Sequence, residues 1–558
     1  MFNSKLLQEQ LQKARRFAEE NDAKRRATQI GLPYLDIITT RVPVELKAMQ
    51  HVSELEARKA LLVPLHATKS KIIIGAFDPR LTEAHAVIER LKSEGLVVEV
   101  RIISKLSLEH GWSYYKYVHE ESKEIAGKVD INEENLEVIL GSVKTLLDLE
   151  THLKNFSSPF ISQILEIILA GAMALKASDI HLEPVDEAGV LRLRIDGILH
   201  TVFDKFSPHI YKSVITRIKL LSNLKLNVTS EPQDGRFTIG LKNRDIEVRT
   251  SIIPSEYGET VVMRLLDPSA LKVNLEDLGW RKDDLSIVKG VIDQPNGLIL
   301  NTGPTGSGKT TTLYAFLKSV RSPEIKIITV EDPIEYHLDG VSQTQVNSNA
   351  NYTFASGLRS ILRQDPDVIL IGEIRDQETA EIALESSLTG HLVFSTLHTN
   401  DAIGAIPRFL DLGAKPNILG PALTLVIAQR LVRVLCKECK QAVPIDEKRK
   451  TEIATMLKKL PPRVDVSLYN NATIFSPKGC NACGGFGYRG RISIFELFVI
   501  TNEIKELIYK TPTEMELFTS ARSQGMVTMQ EDGLLKVIQG ITSIEEVERA
   551  TGTIHWTE

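Results

Sequence analysis

The residues best placed to do chemistry lie in the stretch LILNTGPTGSGKTTTLYAFL, where Gly303, Gly308, Lys309 and Thr310 stand at the spacing of a phosphate-binding loop. A short apolar run, residues 298–300, precedes the loop and a helical pattern, residues 311–321, follows it, so both flanks the motif needs are present. Glycines 303, 306 and 308 let the backbone turn where a side chain would forbid it. Gly303, Pro304, Thr305, Gly306, Ser307, Gly308, Lys309, Thr310 and Thr311 form the loop, whose N–H groups (all but that of Pro304, which has none) then cradle phosphate oxygens at a helix N-terminus. Lys309 reaches the β- and γ-phosphates and Thr310 ligates Mg²⁺, which predicts ATP as the ligand.

In an open parallel sheet, ligands bind beyond the carboxyl ends of the strands. Three further apolar runs end in titratable residues. IKIITVEDPIEYH ends at Glu331 and Asp332, and a carboxylate there can deprotonate an attacking water. DPDVILIGEIRD ends at Gly372 and Glu373. It resembles a Walker B strand in which Gly replaces the usual terminal Asp, leaving Glu373 to hold Mg²⁺ through water. Asp365 and Asp367 shape the turn before it. GHLVFSTLHTND is bracketed by His391 and His398, and a histidine there can sense a γ-phosphate by hydrogen bonding. Each such end alone has an ordinary explanation as a cap or a structural histidine. Their combination downstream of one phosphate loop carries the inference.

The four cysteines of the chain form two Cys-x-x-Cys pairs, Cys436 with Cys439 and Cys480 with Cys483. With no apolar signal region at the N-terminus, this pattern favours metal ligation over disulfides. Four thiolates suit a structural Zn²⁺ with no open position. The long insert between the pairs weakens the spacing signal, and the lack of any other cysteine strengthens it.

These groups need a scaffold. From Glu276 onward, apolar strand, glycine or acidic loop and helix alternate, the signature of a parallel α/β sheet. Before it, VLRLRIDGILH and DIEVRTSII alternate apolar and polar residues as half-buried antiparallel strands do. Residues 71–103 read as strand, helix, strand, and the charged stretch 120–137 reads as a linker. The first 30 residues carry seven Lys/Arg and four Asp/Glu and read as a solvated helix. The expected fold class is therefore multidomain α/β. Its expected divisions are 1–145 (α/β domain with linker), 150–275 (sheet domain), 276–430 (P-loop domain), 431–500 (tetracysteine segment) and 501–558 (helical segment).

The chain has 558 residues, 42% hydrophobic and 25% charged, which is ordinary for globular domains. Its net charge of −5 and 6% aromatic content argue against a nucleic-acid motor that stacks bases on aromatic side chains. The longest apolar run is far short of the roughly 20 residues of a membrane span. A non-hydrolysing nucleotide-gated scaffold is disfavoured by the intact Lys309, Thr310, Glu331 and Glu373.

GPTGSGKTTT, VEDPIEYH, DPDVILIGEIRD and GHLVFSTLHTNDA resemble the Walker A, Asp, Walker B and His boxes of the ATPases that assemble type IV pili or drive type II secretion. SDIHLEP, RIDGIL and YGETVVMRLLD resemble that family's second N-terminal domain, and GCNACGGFGYRGRISIFELF its metal-binding segment. The resemblance implies a RecA-like ATPase core behind a PAS-like α+β domain. It implies a homohexamer docked on an inner-membrane platform protein from the cytoplasmic side, without nucleic acid. It makes Glu331 the general base, Glu373 the Walker B acid and His398, with His391 less securely, part of the γ-phosphate sensor. It carries Arg236 and Arg249, and less securely Arg264, over as arginines that reach the γ-phosphate from the sheet domain. The large N-terminal domain and the cysteine segment imply an assembly-side motor, with a slight lean to pilus assembly over secretion.

Overall fold

Alternation of buried and exposed side chains builds one sheet of this protein, and uniformly buried runs build another. The computed structural model describes residues 2–38, 44–68, 70–115, 128–130, 133–155, 161–241, 244–268, 272–469 and 472–554. The chain divides into two compact units, residues 1–125 and 126–558.

The first unit opens with a helix, Phe2–Ile30. A three-stranded sheet follows, made of β1 (Leu62–Ala67), β2 (Lys71–Ala76) and β3 (Val97–Ile102). β1 runs antiparallel to β2, and β2 parallel to β3 through the helix Thr82–Ser93. Leu65, Ile72, Ile74, Leu91 and Leu108 are buried, and the Trp112 indole N–H donates to the Leu62 carbonyl at 2.9 Å. Residues 116–127, most of the expected linker's first half, lie outside the described residues.

The second unit holds two seven-stranded sheets. The first contains β4 (Lys128–Asp130), β5 (Ala177–Val185), β6 (Ala188–Ile195), β7 (Ile198–Phe206), β8 (Gln233–Leu241), β9 (Arg244–Ser255) and β10 (Gly258–Leu266), in the order β4-β8-β9-β10-β5-β6-β7. β6 reads strictly alternate in burial, as its sequence predicts. The buried face packs on helices Ile161–Ala174 and Pro208–Leu221 around Ile168, Leu193, Ile218 and Val248. β4 falls within the stretch read as linker but pairs parallel with β8. Ile139, Leu149 and Leu153, on helices either side of position 145, and Val143 just past the first of these helices belong to this same core.

The second large sheet contains β11 (Gly297–Thr302), β12 (Ile327–Glu331), β13 (Ser342–Gln345), β14 (Val368–Ile371), β15 (Leu392–Leu397), β16 (Leu423–Leu435) and β19 (Tyr488–Val499), in the order β13-β12-β14-β15-β11-β16-β19. A two-stranded ribbon, β17 (Gln441–Val443) with β18 (Ile474–Ser476), lies between the cysteine pairs. All neighbours in the large sheet are parallel except β16 and β19. β11, β12, β14 and β15 are buried along their whole length, as expected for strands covered on both faces. β19 comes from the segment read as tetracysteine, so that segment completes the ATPase sheet. Its pairing with β16 joins residues more than 50 apart, which no local pattern announces. The last helices pack on the sheet too, with Leu517, Met526 and Met529 in its core.

Candidate functional site: a phosphate loop under a sheet of arginines

β11 enters the loop and the helix Lys309–Val320 leaves it, as the motif requires. Gly303, Gly306 and Gly308 have φ of 148°, 79° and 92°. At Gly303 a Cβ would stand 2.5 Å from the Gln429 carbonyl, so the loop cannot carry a side chain there. The Lys309 ammonium folds back onto the carbonyls of Gly303 (2.7 Å) and Pro304 (3.1 Å). Burial depresses its pKa, and the charges of Glu373 and Glu335 oppose that shift. The Ser307 hydroxyl is buried in the loop with no partner. An orphaned hydroxyl in a loop at a helix N-terminus, beside a desolvated lysine, fits a bound phosphate group.

Gln429 on β16 braces the loop and was not read from the sequence. It is fully buried, accepts from Asn301 Nδ2 (2.8 Å) and Thr312 Oγ1 (2.9 Å), and donates to Ser493 Oγ (2.9 Å). Its neighbour Arg430 donates to the Asn400 carbonyl at 3.3 Å, and its charge falls on Lys309.

Three strand ends converge on the loop, because β12, β14 and β15 share the direction of β11. Glu373 follows β14, with its carboxylate ion-paired to Arg375 and 3.6 Å from His398 Nε2. Arg375 also lies 3.9 Å from Asp332 and so links the two acidic loops. Thr310 sits half-buried in the first turn of the loop helix. A hydroxyl there with the Glu373 carboxylate makes a hard-oxygen donor set suited to Mg²⁺.

Glu331 is differently placed. It is 4% exposed and accepts from Tyr314 OH, from Thr329 Oγ1 at 2.6 Å and from Gln343 Nε2 at 3.1 Å. Both of its oxygens are occupied by protein donors. Glu335, four residues on, is half-buried and bears electrostatically on Lys309. His391 is not part of the assembly. It precedes β15 and bonds to the Ser386 carbonyl at 3.0 Å, whereas His398 follows the strand. At about 3.3 Å per residue the two histidines are roughly 20 Å apart. Asp367 takes the Lys326 amide at 2.7 Å, and Asp365 sits at φ 53° in the turn.

The sheet domain presents its arginines in one row. Arg236, Arg249 and Arg264 are direct cross-strand neighbours on β8, β9 and β10, and Asp179 of β5 stands opposite Arg264. Arg249 donates to the Ile334 carbonyl, in the loop between Asp332 and Glu335. Arg264 is held by Asp179 at 2.9 Å and is 53% exposed. Arg236 is 76% exposed and lies 4.0 Å from Glu247, at the mouth of a polar cavity with Ser222 and Asn223. Like charges directly opposite on a sheet repel, so the row favours an anion nearby. Of these three, Arg249 hydrogen-bonds to a loop of the nucleotide site in its own chain, and Arg264 joins it in bearing electrostatically on Tyr336 of that loop.

The four cysteine sulfurs all lie within 4.8 Å of one another. Cys436–Cys480, Cys439–Cys483 and Cys480–Cys483 are 3.9, 3.8 and 3.8 Å apart. Tetrahedral zinc with Zn–S of about 2.3 Å has S–S edges of about 3.8 Å, so the donor set fits Zn²⁺. The amides of Cys480 and Gly487 each donate to Cys483 Sγ at 3.2 Å. Burial raises the Cys483 thiol, but these backbone donors, with the neighbouring Cys480 and Cys439 thiols, outweigh it and bring the pKa to about 7.

A parallel sheet, a phosphate loop and acidic strand ends define a RecA-like P-loop ATPase. The family model described as "Type II/IV secretion system protein" matches residues 154–549, and this chain belongs to that family of secretion motor ATPases. Among its relatives, the type II secretion system protein E of Dickeya dadantii is 41% identical over 475 residues, 84% of this chain and 91% of the relative. The protein of that name from Pseudomonas aeruginosa is 45% identical over 70% of this chain and 75% of the relative. The type II secretion system ATPase E of Vibrio cholerae is 44% identical over the same shares. The ATPase DotB of Legionella pneumophila shares the fold at a TM-score of 0.51 and 21% identity, over 71% of this chain and 97% of that one. No helix among the described residues is long and apolar enough to cross a membrane.

Proposed function

We propose that the protein is a homohexameric motor in which hydrolysis of Mg²⁺-ATP, held between the sheet domain and the P-loop core, drives filament assembly for secretion. The observation that carries this reading is Arg249 of the sheet domain bonded to the Ile334 carbonyl beside the phosphate loop. A cation delivered by one domain to a site built by another makes hydrolysis depend on their closure. The relatives' printed names turn the choice from pilus assembly toward a type II secretion pseudofilament. In this reading the first unit docks on an inner-membrane platform protein and the motor works at the cytoplasmic face. The sheet domain, the P-loop core and the cysteine segment serve as lid, engine and zinc-bound brace.

The geometry supports the following assignment of residue roles. The loop 303–311 holds the phosphates, Lys309 neutralises the β- and γ-phosphates, and Thr310 and Glu373 hold Mg²⁺. His398 hydrogen-bonds toward the γ-phosphate. Arg249 stabilises charge within its own chain, and Arg236 points outward to the site of a neighbouring subunit. The water-orienting base is Glu335. Glu331 is assigned a positioning role, because both of its oxygens are already taken by three protein donors.

The test is Mg²⁺-dependent ATP hydrolysis measured beside the mass of the chain in solution, with Lys309→Ala as control. Activity should rise with assembly into a ring and vanish in the control. Full activity in a monomer would refute the ring; activity surviving in Lys309→Ala would refute the site.

A further inference from the structure

The RIDGIL motif finds no use at the phosphate loop. Asp196 and Gly197 form the turn between β6 and β7, both with positive φ (48° and 86°). This hairpin tip touches the cysteine segment. Asp196 Oδ2 accepts the Gly490 amide at 2.9 Å, and Arg491 lies 3.8 Å from Asp196. Beside it, Phe486 packs against the sheet-domain core, its ring 4.5 Å from that of His200. A Cβ on Gly484 would meet the Lys144 carbonyl at 3.4 Å, so the cysteine loop lies close to that domain's backbone as well.

Phe486 is braced by the sulfur site. Its own amide bonds to the Cys483 carbonyl at 3.2 Å. The next residue, Gly487, gives its amide to Cys483 Sγ and its carbonyl to the Cys436 amide at 2.9 Å. The ring's position is thus fixed by two of the four cysteines, one from each pair.

We propose that the cysteine loop 480–491 is the seat that holds the sheet domain over the nucleotide site, with Phe486 and Asp196 as positioning residues for Arg249. A metal at the four sulfurs keeps the 483–487 turn rigid. The turn aims Phe486 into the sheet-domain core, and the seated domain places Arg249 at the Ile334 carbonyl. The importance of Arg249 for turnover rests on the function proposed above, but the seating itself does not.

Hydrogen exchange on the full-length chain tests the seat without hydrolysis. Phe486→Ala and Asp196→Gly should each keep one zinc per chain while the hairpin of β6 and β7 exchanges at least tenfold faster. Gly tolerates the same positive-φ turn and removes the acceptor for the Gly490 amide, so Asp196→Gly keeps the test open if Phe486→Ala fails to fold. Stripping zinc from the unsubstituted chain with a chelator should speed exchange of the same hairpin. For ATP hydrolysis, Arg249→Ala should cost much less in the Phe486→Ala background than in the unsubstituted chain. Unchanged hairpin exchange in the zinc-retaining variants, or in the zinc-free chain, overturns the proposal. Faster exchange with additive kinetic losses would preserve the seat and refute its action through Arg249.

Discussion

Replacing Gln429 with Leu tests whether the loop's shape is imposed from β16. The substitution keeps volume but removes the acceptor for Asn301 and Thr312 and the donor to Ser493, all inside a core closed to water. A buried donor left unsatisfied costs about 1–3 kcal/mol. The Asn301 amide bears that cost in full. The Thr312 hydroxyl can turn back to a carbonyl of its own helix and bears less of it. The net loss is about 2–3 kcal/mol, local to the loop and its helix. Native-state hydrogen exchange along Lys309–Val320 reads it directly, as a roughly 30- to 150-fold faster exchange at 1.36 kcal/mol per decade. ATP binding should weaken in parallel, since Gly303 and Gly308 both pack on Gln429. Unchanged exchange in this helix, with unchanged affinity, would show that the loop holds its own conformation and refute the argument.

Three more outcomes are expected. Glu335→Gln should abolish turnover while leaving ATP binding intact, whereas Glu331→Gln should retain measurable turnover and lower thermal stability; single-turnover kinetics and melting separate them, and the opposite pattern would restore Glu331 as base. Burial raises the Glu496 carboxyl to about 7 from its ordinary 4.5. A raised folded pKa means the native state binds the proton more tightly, so this group's contribution to stability falls as pH rises from about 4.5 to 7 and is flat on either side. Glu496→Gln should remove that slope from a melting series across the window, and an unaltered slope would contradict the assignment. Finally, Arg249→Ala should slow hydrolysis at every protein concentration. Arg236→Ala should slow it, by up to about 10³-fold, only where rings form, as a titration of activity against chain concentration will show.

The phosphate loop was legible because its motif, strand and helix are contiguous, and local sequence is enough to specify them. The cysteine set was legible because the chain has no other cysteines to confuse the pairing. What escaped was decided by distant residues. Nothing in VEDPIEYH says that Tyr314, Thr329 and Gln343 take both oxygens of Glu331. His391 and His398 look equivalent along the chain, yet a strand carries them to opposite ends of the sheet. Gln429 reads as one polar residue in an apolar run, and its role appears only when β11, its helix and β19 close around it. The charged composition of residues 120–137 conceals β4, whose backbone pairs parallel with β8.

β16 has a mechanical meaning beyond its place in the sheet. At Gln429 it touches the phosphate loop, and its last residue, Leu435, is followed at once by Cys436. Those seven steps cover roughly 23 Å of extended chain. Along them the strand is zipped to β19, which begins at Tyr488, five residues past Cys483. A doubly bonded ribbon bends more readily than it stretches. A displacement of the loop would therefore reach the sulfur site along this ribbon, as tilt. The phosphate loop and the sulfur site thus share one strand, across a span that no side chain bridges.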